Sequence, residues 1–200
     1  MKTGTGSASI YIGFFLSIFI GAVFHPMLYA SDLSDATMLR DKCETNLKVL
    51  EVPVRNFGDS ADIDSFQKAG NLVKLGKMKL LQTKYLEAIK IYKEYLLLEK
   101  DIYMSLAKKY LARTQKMSDD IAVDLVDHID KTNVEKYIRL ANQNLKDAGR
   151  EISAERYQNC IKLCRVSKKY SLSAYAAAGV KEPSQYKVDF ADNENRILNK

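Results

Sequence analysis

Two short constellations in this chain bring together residue types that can do chemistry. Cys160 and Cys164 stand four residues apart, one helical turn, the spacing of a thiol pair that could bind a metal or cycle between redox states. Asp124, Asp127, His128 and Asp130 form the densest acidic run, and Asp124 with His128 repeats that i, i+4 spacing with cation ligands. Neither set is complete. A zinc site needs further ligands, and neither Cys43 nor His128 lies at a recognisable spacing from the thiol pair. A calcium loop needs a glycine at its turn and ligands at regular intervals, which the acidic run lacks. The pair therefore reads as thiols buried in a helical core, and the run as a solvated helix face. His128 is the only histidine beyond residue 30, and no Ser or Cys accompanies it in a nucleophile motif, so triad-type catalysis has no basis. There is no glycine-rich phosphate loop either. The expectation is a protein that is not an enzyme, with no catalytic residue, no cofactor and no metal.

The remaining chemistry-bearing side chains point to contact rather than turnover. Ten tyrosines lie beyond residue 30, among them Tyr85, Tyr92, Tyr95, Tyr103 and Tyr110, in a chain without tryptophan. They fill space between helices or offer another protein an aromatic face with one polar end. Lys68, Lys74, Lys77, Lys79, Lys84, Lys90 and Lys93 give one stretch a basic character. Such a stretch is usually a solvated face, and if the lysines gather it meets an acidic partner.

The elements that must hold these residues are helical. Of 200 residues 46% are apolar and 28% charged, while nine Gly and three Pro leave little of the turn chemistry that a sheet requires. An all-α fold is expected. The first thirty residues run from Lys2 through a polar lead to an apolar stretch at 10–24, then His25-Pro26 and Ala30. That is the order of an export signal, and the stretch is shorter than the roughly 20 residues that span a bilayer. Cleavage before Ser31 is expected to leave a net charge of +5 and no integral membrane segment, with an uncleaved anchor as the alternative because Leu28 is large for its place before the cleavage point. An exported chain, periplasmic or secreted outright, has little access to nucleic acid, so none is expected as a partner. In an oxidising compartment three cysteines leave at least one unpaired, and whether Cys43 joins Cys160 or Cys164 stays open.

Beyond the signal, Leu33, Ala36, Leu39, Cys43, Leu47 and Leu50 recur at the spacing of one helix face, which Pro53 is expected to end. Residues 56–60 read as a turn, and Asp62 as the cap of a second helix with Phe66, Ala69, Val73, Gly76 and Leu80 on one side. Gly76 costs about 1 kcal/mol relative to Ala in mid-helix, so its use is to let a neighbouring helix come close. Residues 84–117 contain no Gly or Pro, and Ile89, Leu96, Tyr103, Tyr110 and Met117 recur every seven positions. That predicts one long central helix, with a bend near Lys100-Asp101 as the alternative. Ser118 is expected to cap a separate short helix burying Ile121, Leu125 and Ile129. Two more helices, from Thr132 or Asn133 to about Ser153 and from about Ala154 to Ala178, precede Gly179 and Pro183. Past Pro183, Tyr186, Val188 and Phe190 alternate with Lys187 and Asp189, the pattern of an extended C-terminal arm whose apolar side chains share one side. The chain thus divides into a signal at 1–30, an N-terminal helix and turn at 31–60, a helical hairpin domain at 61–182 and the arm at 183–200.

A shift of 72 residues superposes the two helix pairs. Phe66 falls on Ile138, Ala69 on Ala141, Val73 on Leu145, Gly76 on Ala148 and Leu80 on Ile152; Tyr85 falls on Tyr157, Ala88 on Cys160, Ile89 on Ile161 and Tyr103 on Tyr175. A small residue on the first helix and an aromatic opening the second are what close antiparallel packing requires. Over residues 62–178 this pattern resembles the tetratricopeptide repeat, with Gly76 at the small first-helix position and Tyr85-Leu86-Glu87-Ala88-Ile89, then Tyr92, in the second helix. The resemblance implies an elongated array of antiparallel hairpins that binds other proteins, with a decayed middle unit at about 101–132. A second resemblance rests on Arg139-Leu140-Ala141-Asn142, Ser167-Lys168-Lys169-Tyr170, Tyr186-Lys187-Val188-Asp189 and Asp192-Asn193-Glu194-Asn195. It is to the flagellar-coiling proteins of spirochaetes, and it implies a structural role in a periplasmic filament sheath.

These readings converge on an exported, non-enzymatic helical scaffold or adaptor that binds protein partners in a homo- or hetero-assembly. Tyr186, Val188 and Phe190 are its expected partner-binding residues, unless the arm docks back onto its own helices. The alternative is a carrier holding a lipid or other apolar molecule between helices. A carrier needs an apolar cavity of roughly 300–1,000 Å³, whereas a scaffold needs a filled core.

Overall fold

A computed structural model of the chain describes the backbone of residues 8–198 and the side chains of residues 31–198. The expected export signal and its cleavage before Ser31 lie outside the described side chains. The fold is all-α: α1 (Ala8–Phe57), α2 (Ser60–Leu81), α3 (Tyr85–Asp124), α4 (Thr132–Ser153), α5 (Tyr157–Ala178) and α6 (Lys187–Asn193), with no strand among the described residues. Among those residues, no helix is long and apolar enough to cross a membrane.

α1 does not stop at Pro53. A proline inside a helix removes one backbone bond and crowds the preceding turn, at about 3 kcal/mol. The turn beyond it is held by the buried Val54 and Asn56. The Asn56 amide donates to the Arg196 carbonyl at 2.9 Å, and its side-chain oxygen accepts from the Leu198 N–H at 3.0 Å. α2 is capped by Asp59 rather than Asp62. The two aspartates cap reciprocally, each carboxylate accepting the other's backbone N–H at 3.0 and 3.2 Å, and Lys109 of α3 bonds to both.

α3, 40 residues and about 60 Å long, runs unbroken through Lys100-Asp101 and past Ser118. Neither a break at Lys100-Asp101 nor the separate short helix occurs: Glu99, Ile102 and Tyr103 carry the buried stripe through the first place, and Thr114, Met117 and Ile121 through the second. Ser118 caps nothing; its hydroxyl donates to the Asn142 side chain of α4 at 2.6 Å. Leu125 is buried just past the helix, but Ile129 is exposed, since a 3₁₀ turn at Val126–His128 ends the helical period that would have carried it inward. The continuity of α3 also overturns the decayed middle unit, as residues 101–132 hold no helix pair. The C-terminal arm is not extended either: a 3₁₀ turn at Ser184–Tyr186 leads into α6.

The 72-residue shift, by contrast, is obeyed by the backbone. α2 and α4 are 22 residues each with both ends displaced by the shift, and α3 and α5 begin at the equivalent Tyr85 and Tyr157. The connecting turns repeat in detail. Thr83 and Glu155 are left-handed at φ 58° and 56°, and the N–H groups of Lys84 and Arg156 donate to the carbonyls of Lys79 and Glu151. Burial repeats as well, at Ala69 and Ala141, Val73 and Leu145, Ala88 and Cys160, Tyr92 and Cys164, and Tyr103 and Tyr175. α3 is the spine, packed on α1, α2, α4 and α5. One apolar cluster joins α1 and α2 to α3 as far as Tyr110, with the facing parts of α4 and α5; the other joins Met117 and Ile121 to Val134, Ala174, Tyr175 and Tyr186.

Gly76 is the tightest point of the first hairpin, where an added Cβ would sit 2.5 Å from the Tyr92 ring. Gly76→Ala should therefore lower stability by about 1–3 kcal/mol through overpacking, even though alanine favours a helix by about 1 kcal/mol. Melting that stays level or rises in this variant would refute the close crossing.

Candidate functional site

On a helix, Tyr186, Val188 and Phe190 cannot share one side, and the structure does not bring them together. Tyr186 is buried, its hydroxyl donating to Asp120 and its ring 5.8 Å from the Arg113 guanidinium. Val188 is half-buried and Phe190 is 52% exposed. What α6 turns inward is a pair of carboxylates three residues apart, Asp189 and Asp192, both fully buried. Arg113 of α3 forks onto Asp189 through Nε (2.8 Å) and Nη2 (2.5 Å). Arg165 of α5 forks onto Asp192 at 3.0 and 2.8 Å, and the Tyr110 hydroxyl donates to Asp192 at 2.7 Å. Between the two carboxylates stands Lys168 of α5, 0% exposed, with Nζ 3.0 Å from Asp189 and 3.5 Å from Asp192. The same ammonium lies 4.3 Å from the centre of the Phe57 ring and 4.5 Å from that of Tyr110.

This centre fills the gap between the two apolar clusters. Burying an unpaired ammonium costs several kcal/mol, and only good geometry with satisfied hydrogen bonds offsets it. Lys168 has that geometry only because α6 closes over it. Burial alone would raise the Asp192 pKa, but the Arg165 guanidinium, the Lys168 ammonium and the Tyr110 hydroxyl outweigh it and hold the carboxyl below the usual range. Burial pushes the Tyr110 hydroxyl well above its own range. The arm is thus committed to its own chain, and none of Arg113, Arg165, Lys168, Asp189 and Asp192 stood out as site residues from the sequence. The available signal was Lys168 itself, a charge at the register of Leu96 in an otherwise apolar or small column.

The other constellations stay apart from any reactive arrangement. Cys43, Cys160 and Cys164 are free thiols, all buried, as expected for core cysteines. Burial raises Cys43 to about 12, and the contact with Cys164 together with burial pushes Cys160 up. In the acidic run, Asp124 accepts the Tyr175 hydroxyl at 2.5 Å, and no three His, Cys, Asp or Glu converge among the described residues. Most of the tyrosines named on the first hairpin are interior: Tyr92, Tyr95, Tyr103 and Tyr110 are buried.

Exposed apolar side chains occur at several places, Met38, Val123 and Val126 among them, and the first hairpin carries a set of its own. Leu75, Met78, Leu81, Leu86 and Leu97 are exposed there, Leu81 by 78% and Leu86 by 68%. The shift of 72 supplies an internal comparison: the equivalent residues of the second hairpin are Asp147, Arg150, Ser153, Gln158 and Lys169. The same backbone therefore forms with polar residues at every one of these positions. Between residues 65 and 98 seven lysines stand against two glutamates. Lys77 pairs with Glu44 and Lys79 with Glu87, while Lys68, Lys74, Lys84, Lys90 and Lys93 are exposed without an ion pair among the described residues.

Asp192→Asn should destabilise the fold at neutral pH by about 3–5 kcal/mol, the penalty for breaking a buried pair, whereas Lys168→Met should cost less because each carboxylate keeps its arginine. Since the folded Asp192 pKa is depressed, its contribution is present above about pH 4 and lost as pH falls through the lowered value. Urea unfolding between pH 2 and 7 should show an acid loss of stability that is smaller in Asp192→Asn; equal pH profiles would sink the assignment. No family model, curated protein or solved structure matches the chain.

Proposed function

We propose that the chain is an exported, non-enzymatic scaffold of tetratricopeptide-like hairpins, binding a protein partner with an acidic, partly apolar surface through the outside of its first hairpin. The observation that carries this reading is the substitution of exposed leucines and a methionine for the polar residues that the second hairpin tolerates at the same backbone positions. Exposed apolar residues gathered among charges mark interaction surfaces, and the five unpaired lysines set the sign of the partner. The Gly76 and Tyr92 crossing and the matched turns support the tetratricopeptide-like description. The interior supports a scaffold over an apolar carrier, because Tyr92, Tyr95, Tyr110 and Tyr175 occupy the space between helices with at most 1% exposure.

The test is in-cell crosslinking with a photoreactive residue at Leu97, comparing the wild-type surface with the pair Leu81→Ser and Leu86→Gln, residues borrowed from the second hairpin. The wild type should give a discrete protein adduct that the double variant loses at least tenfold, with unfolding free energies equal to within about 0.5 kcal/mol. An adduct that survives the double substitution, or no adduct from either form, would overturn the proposal.

A further inference from the structure

We propose that the partner of the first-hairpin surface is a second copy of this chain, which docks there with the opposite end of its own spine helix. The inference rests on the reading of that surface as a docking face for an acidic, partly apolar partner, and it says what the partner is. A surface of that description lies at the far end of α3. Between residues 119 and 130 stand five aspartates and no lysine or arginine. Val123, Val126 and Ile129 are exposed among them. Asp120 is paired with Lys116, and Asp124 accepts the Tyr175 hydroxyl. Asp127 and Asp130 are exposed without an ion pair among the described residues. This end therefore complements the first hairpin, where Leu81 and Leu86 are exposed among lysines.

The ends of α3 are charged against the helix's own dipole. A helix carries partial positive charge at its N-terminus and partial negative charge at its C-terminus, so a lysine at the first end and aspartates at the second are each unfavourable within the chain. Lys84 stands at the N-cap of α3 with no side-chain cap, and the last turn contains Asp124 and no basic residue. Glu87, the acid of the first turn, is already paired with Lys79. In the second hairpin the residue equivalent to Lys84 is Arg156, which is paired with Glu151 at 2.6 Å; Lys84 has no ion pair among the described residues. Leu86 and Val123 are 37 positions apart on one unbroken helix, a span of about 55 Å, against a screening length of about 8 Å at physiological salt. The two ends cannot meet or neutralise each other within one chain. Between two copies they can: the positive end of one spine helix lies against the negative end of the other, with exposed leucines against exposed valines among charges of opposite sign. The contact joins two different patches and is a heterologous interface.

The test measures self-association of the chain as recovered from the cell by sedimentation, with two double variants at exposed positions: Lys84→Glu with Lys90→Glu, and Asp127→Lys with Asp130→Lys. The wild type should associate increasingly with concentration. Each double variant alone should associate at least tenfold more weakly, since like charges then face each other across the contact. Mixed in equal amounts, the two variants should recover association, because each reversed end meets a complementary one, and that recovery also shows that neither variant failed by misfolding. A wild type that stays monomeric, variants that associate as the wild type does, or a mixture that stays dissociated would overturn the proposal. A different protein in the adduct at Leu97, with the chain itself monomeric, overturns this inference alone and leaves the hairpin surface standing, whereas the absence of any adduct overturns that surface.

Discussion

The burial of one ammonium group organises this molecule. Lys168 sits where the second hairpin meets the spine helix, against Phe57 and Tyr110 at the edge of the first apolar cluster. A charge there is tolerable only if its counter-charges are brought to it, and they come from the far end of the chain, on α6. The consequence spreads outward. Arg113 and Arg165 must fork onto the same two carboxylates, Tyr110 must present its hydroxyl, and Phe57 must lend its ring at the last turn of α1. The segment after α6 then runs to Asn56, which fixes both the end of α1 and the C-terminal backbone. Contacts that look independent on the surface are thus parts of one closure.

That closure is possible because the two hairpins repeat in backbone but not in bulk. The inward column of α3 carries Tyr92, Tyr95, Glu99 and Ile102, whereas the same column of α5 carries Cys164, Ser167, Ser171 and Ala174. On α3 this column packs on α1 and α2, with Tyr92 against Gly76 and Glu99 on Asn46, and on α5 it reaches α4, where the Ser167 hydroxyl donates to the Ala141 carbonyl at 2.8 Å.

The parts of this fold legible in the sequence are those decided by local period. The long helix, the 72-residue correspondence, the burial of the thiols and the role of Gly76 all rest on spacings that tertiary structure reinforces. The misread parts are those where a local rule competes with a distant contact. Pro53 is a valid stop signal overruled by packing around Val54 and by a bond to residues some 140 positions away. Ser118 is a good cap in a place where the buried stripe continues. The alternation from Tyr186 to Phe190 is only five residues long, and the same stretch contains Asp189 and Asp192 at helical spacing. Which period wins depends on Arg113, Arg165 and Lys168, and nothing in the segment itself names them.

The departures from internal symmetry are therefore more informative than the symmetry. Positions that keep their character across the shift, such as Ala69 with Ala141 or Tyr103 with Tyr175, are explained by packing alone. Other positions change character while the backbone stays the same. Leu96 becomes Lys168, and the change creates the centre that holds the C-terminal segment. Leu81 and Leu86 become Ser153 and Gln158, and the exposed pair has no role in a turn whose geometry is the same without it. Across the two hairpins the broken correspondence at Lys168 serves closure of the fold, while those at Leu81 and Leu86 leave apolar side chains on the surface.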